Sequence, residues 1–110
     1  MAETVKIFRP LGDGQLKLYQ DKILIGAENA RYKIENIIFY NTHSSAVIVS
    51  LYSMRDGINA RLFLYQSIAA TSTFVFDTPF ALEFEDTLEA LADTADKVNY
   101  FINGTQERLA

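Results

Sequence analysis

The chain has 110 residues, a mass of 12.4 kDa, no cysteine and a formal net charge of −4. That length holds one domain, and the missing cysteines exclude disulfides, zinc–thiolate sites, iron–sulfur clusters and thiol nucleophiles. The net acidity disfavours nucleic acid and membrane surfaces as partners, because both present phosphate.

The apolar fraction, 49%, is that of a globular chain rather than a disordered one. No apolar run approaches the roughly 18 residues that span a bilayer. The opening residues lack a basic segment followed by an apolar one, so no cleaved export signal is expected.

Period-2 patterning recurs along the chain, broken every 8–12 residues or so by turn residues, which predicts an all-β, single antiparallel β-sandwich of about eight strands. Residues 1–15 are expected as an extended N-terminal arm outside the sandwich, because Pro10, Gly12 and Gly14 discourage a long strand. Leu16–Tyr19 and Ile23–Ile25 are expected to form an early hairpin. Arg31–Asn41 starts with Tyr32 and Ile34 on one face and Lys33 and Glu35 on the other, then turns apolar on both faces from Ile37. Ala46–Ser53 follows the polar turn Asn41–Ser45, and Asp56-Gly57 marks a tight turn before Arg61–Ile68. Thr73–Asp77, Phe80–Phe84 after Pro79, and Lys97–Asn103 complete the strands. Thr87–Ala95 is ambiguous: Leu88, Leu91, Ala92 and Ala95 make a helical stripe. Its place between strands favours a strand at 87–92 and a loop at 93–96.

Charge is unevenly spread. Residues 1–61 hold eight Lys/Arg and six Asp/Glu, whereas residues 62–96 hold no base and seven acids. The acidic stretch 77–96 offers carboxylates that could converge on calcium, with Glu83 and Glu85 on one strand face and Asp86 at its end. It has no EF-hand spacing, and a solvated acidic edge accounts for it more simply. Glu83, Glu85 and Glu89 are also the only set from which a glycosidase pair could be drawn.

Other catalytic material is scarce. His43 is the single histidine and lies in a Ser-rich turn, so any catalytic triad would have to use it, and a multi-histidine metal site cannot be built. Gly12-Asp13-Gly14 lacks the third glycine of a phosphate loop, since position 17 is Lys17. Asn103-Gly104-Thr105 fits a glycosylation pattern, expected to be incidental because no export signal is expected. No catalytic residue, metal or cofactor is expected.

The informative anomaly is surplus apolar surface. One face of each strand in a two-layer sandwich should be polar. Here Ile37 and Phe39 alternate with Ile38 and Tyr40, Phe63 and Tyr65 with Leu62 and Leu64, and Phe101 with Tyr100 and Ile102. Such faces predict oligomerisation or docking.

The succession of segments resembles small tailed-bacteriophage virion structural proteins. The matching stretches are Arg9–Leu16, Asn41–Tyr52, Ser67–Ala70, Asp77–Glu83, Asp86–Ala90 and Val98–Glu107. Leu91, Asp93 and Asp96 depart from the Ser/Thr-rich turn usual in such sequences. The resemblance implies a non-enzymatic capsid decoration (cement) protein that forms a homo-oligomer, commonly a trimer, on the phage major capsid protein. It would be made in the host cytoplasm and carried in the virion. The interface candidates are Phe8, Arg9 and Leu11 in the arm, with Phe39, Phe63, Tyr65 and Phe101 on the strands. Alternatives are a tail, neck or fibre component, or a carbohydrate-binding sandwich using surface Tyr and Phe.

Overall fold

A computed structural model describes residues 4–26, 30–54, 60–83 and 86–109. They form nine strands: β1 (Thr4–Gln15), β2 (Asp21–Ile25), β3 (Ala30–Asn41), β4 (Val47–Met54), β5 (Ala60–Ile68), β6 (Thr73–Phe76), β7 (Phe80–Leu82), β8 (Thr87–Ala92) and β9 (Val98–Leu109). No helix among the described residues is long and apolar enough to cross a membrane.

One sheet runs β1-β9-β3, with β6 and β7 sharing the far side of β3; the other runs β2-β8-β4-β5. Every pairing is antiparallel. Because Asp77-Thr78-Pro79 merely interrupts one strand into β6 and β7, the described residues occupy eight strand positions. Their arrangement in two four-membered layers is that of a jelly roll. The expected all-β sandwich is therefore the observed one.

The core lies between the layers and follows a period of two, interrupted in β3 by the bulge at Glu35. Ile34, Ile37 and Phe39 of β3, Val47, Val49 and Leu51 of β4, and Leu88, Ala90 and Ala92 of β8 are all fully buried. Val98 and Ile102 of β9, with Leu16 and Leu82, complete it. The segment 87–92 is a strand, as its neighbours in the chain suggested. Its helical stripe is overridden by pairing with β2 on one side and β4 on the other.

Two local expectations fail. Residues 4–15 are not an arm: they pair with β9 from Thr4↔Leu109 to Gln15↔Asn99. The register shifts between Pro10 and Gly12, so a bulge at Leu11 accommodates the proline, and an edge position tolerates its missing N–H. Nor do Leu16–Tyr19 and Ile23–Ile25 form a hairpin. Leu16 and Lys17 instead bond across the sandwich end, where the Leu16 amide reaches the Val98 carbonyl and the Ala92 amide reaches that of Lys17. The expected turn at Asp56-Gly57 lies outside the described residues.

Gly104 lets β9 lie close against the bulged β3. The β3 register shifts between Ile34 and Asn36, which brings the Lys33 carbonyl against position 104, where a Cβ would overlap it.

Candidate assembly surfaces

Alternation along β3, β9 and β6 sends every second side chain away from the core. Asp13, Phe101, Ile38 and Val75 thereby stand in one cross-strand row on the outer face of the first sheet. Phe101 is 42% exposed and Val75 46%, and Tyr40 in the next row is 38% exposed. Amide pairs border this stripe. Asn103 Nδ2 donates to Asn36 Oδ1 at 2.9 Å on one side, and Gln15 Nε2 donates to Asn99 Oδ1 at 3.1 Å on the other. An apolar strip with a hydrogen-bonded polar rim is the anatomy of a contact surface.

The outer face of the second sheet is also apolar. Leu62 and Tyr65 of β5 and Ile25 of β2 are exposed, with Tyr52 and Leu91 half-buried between them. Three polar residues sink into this face, Ser50, Thr87 and Glu89. Glu89 accepts hydrogen bonds from Gln20 Nε2 at 2.7 Å and Thr87 Oγ1 at 3.2 Å.

At the side of the sandwich, a bulge opposite Leu51 and Tyr52 turns Phe63 towards the other sheet. Its ring meets those of Phe76 and Phe80 edge to face, with centroids 5.6 Å away in both cases. The three rings, with Ser53, Arg61 and Thr78, line a cleft of about 320 Å³. Among the described residues the buried Ser53 Oγ has no hydrogen-bond partner.

The interface candidates therefore separate. Phe101 and Tyr65 reach solvent on opposite sheets, and Phe63 lies at the cleft. Phe39 does not qualify, because its ring is fully buried in the core. Leu11 packs half-buried against that core through its bulge. The side chains of Phe8 and Arg9 lie outside the described residues. Sequence reasoning omitted Val75, although alternation within Thr73–Asp77 placed it opposite Phe74 and Phe76.

The residues weighed for chemistry are engaged in structure instead. The Glu83 amide donates to Asp86 Oδ2 at 3.0 Å, and Arg31 pairs with Glu83 at 2.7 Å. Asp93 accepts the Ile48 amide at 3.0 Å, and Lys17 pairs with Asp96 at 2.6 Å. The Asp96 contact raises the Lys17 pKa, through its hydrogen bond first and its charge second. Asp86 and Glu89 are buried, so the acidic stretch is not simply a solvated edge. Glu85 lies outside the described residues, and no group of three metal-ligating side chains occurs among the rest. The His43 amide donates to Asn41 Oδ1 at 2.9 Å, which makes its loop part of a structural turn.

No family model matches the sequence, and no curated protein does. Solved structures similar in fold include one from Bacillus endospore appendages, described as disulfide-linked pili. It shows a TM-score of 0.61 at 15% identity, over 100% of this chain and 92% of that one. A chain of the T13 IBDV viral particle aligns with a TM-score of 0.56 at 7% identity, over 98% of this chain but 31% of its own length. A pentameric capsid protein from metagenomic phage sequences gives 0.43 at 18% identity, over 87% of this chain and 59% of that one. At these identities the likeness is one of fold. The pilus cross-link has no counterpart here, since this chain has no cysteine.

Proposed function

We propose that this chain is a non-enzymatic structural subunit of a bacteriophage virion, specifically a capsid decoration protein that clamps the capsid lattice as a homo-oligomer. The observation that carries the reading is the uncovered row Phe101–Ile38–Val75, rimmed by amide pairs on a jelly-roll sheet. Burying such area between subunits contributes roughly 25 cal/mol per Å², and symmetry repeats each contact. The endospore-appendage and IBDV neighbours, both with TM-scores above 0.5, come from a pilus and a viral particle, both repeating assemblies, which supports a building-block role. The trimer follows the sequence resemblance.

The test is add-back of purified protein to capsids assembled without it, read by sedimentation and by imaging of labelled particles. Stoichiometric, lattice-wide binding supports decoration. Label confined to one vertex or to the tail moves the chain to a neck, tail or fibre role, and absence of binding overturns the assignment.

A further inference from the structure

The two sheets expose four lateral edges, and three carry the features that discourage strand addition. β1 contains Lys6, Arg9 and Asp13, with Pro10 at its bulge. β2 is five residues long, bulged, and begins Asp21-Lys22. The third edge is split into β6, of four residues, and β7, of three, around Pro79.

β5 differs from all of these. It is nine residues long and pairs only with β4 among the described residues. Its single charge, Arg61, stands at the start, and its bulge is at that same end. Leu64–Ile68 then runs in regular register without a charge, a proline or a glycine.

We propose that the β5 edge pairs antiparallel with β5 of a second copy of this chain, joining the two four-stranded sheets into one of eight. The occupant follows from sign and shape. An uncharged strand meets its own copy without like charges facing each other, and a two-fold axis makes every contact twice. An axis within residues 64–66 sets the exposed Tyr65 rings of the two copies close together on the outer face. The edge is separate from the row containing Phe101, so a two-fold through β5 leaves the other sheet face free for a further symmetry contact. The inference rests on the assembly reading only in requiring a second copy.

The cysteine-free chain makes the test direct. Single cysteines are introduced in turn at Leu64, Tyr65, Gln66 and Ser67, and the folded proteins are oxidised with a mild disulfide catalyst. In an antiparallel self-pair only the residue on the axis faces itself, so cross-linked dimer should peak sharply at one position and fall on either side. Tyr65→Lys, at a site 66% exposed, should keep the fold by circular dichroism and lower β5-mediated association at least tenfold. Equal or negligible cross-linking at all four positions, or unchanged association of Tyr65→Lys, overturns the proposal. Capsid add-back that succeeds while cross-linking fails removes only the β5 pairing; the converse removes only the decoration role.

Discussion

Phe101 of β9 and Ile38 of β3 are direct cross-strand partners, and both point away from the core. Their flanking residues do the opposite: Tyr100 and Ile102, like Ile37 and Phe39, are buried. A strand pair with apolar side chains on both faces has one face more than this two-layer fold can cover. Replacing Phe101 with Ser should therefore leave thermal stability nearly unchanged while weakening self-association. Removing about 100 Å² of apolar contact per subunit costs about 2–3 kcal/mol, which concentration-dependent sedimentation would resolve.

Asn41 is fully buried at the end of β3. Its Nδ2 donates to the carbonyls of Ser45, Ile68 and Ala69, at 2.9, 3.0 and 3.3 Å. Asn41→Ala leaves these acceptors and the His43 amide without that partner. The expected loss is about 3 kcal/mol in urea unfolding. Asn41→Asp should cost more, because a carboxylate would face three carbonyl oxygens.

Gly104 is a test of close backbone approach. A methyl group there meets the Lys33 carbonyl, a backbone atom that moves only with the whole strand. Gly104→Ala should destabilise by about 1–3 kcal/mol, measured as a lower denaturation midpoint. Lys33→Ala, changing only an exposed side chain, should not.

Alkaline pH should destabilise the protein. Burial raises the Tyr100 pKa from 10.0, helped by Asp21 and Asp13, and Asp96 raises that of Lys17 from 10.5. Both groups hold their protons more firmly folded than unfolded. Their effect on stability is constant below the unfolded values and is lost as pH rises through the folded ones. The melting temperature should fall above about pH 10, and Tyr100→Phe should soften that decline.

Much of this was legible in the sequence, and the exceptions have physical causes. Alternation located β3, β4 and β5 closely, because each has a buried face that fixes its register, whereas β8, whose own pattern read as a helical stripe, was placed only by its position between strands. It failed at β1, where Pro10 and two glycines read as breakers but a single bulge absorbs the irregularity on an edge. It missed the full length of β9, whose polar end, Thr105 to Leu109, is held by pairing with β1 and β3 rather than by its own pattern. For the contact surface, composition indicated too many apolar faces, but only the pairing shows that Phe39 turns inward and Val75 outward. The burial of Glu89 had no clear sequence signal, since one of its two partners, Gln20, is 69 residues away and the other, Thr87, is an ordinary strand neighbour.

In the proposed role, copies of the chain assemble on its uncovered apolar faces. Light scattering of the purified protein, coupled to size exclusion, measures this most directly. The expected result is a stable mass that is a multiple of the 12.4 kDa chain, reduced towards one copy when Phe101 and Val75 are both changed to Ser. A strict monomer at all concentrations, unaltered by that double change, would contradict it.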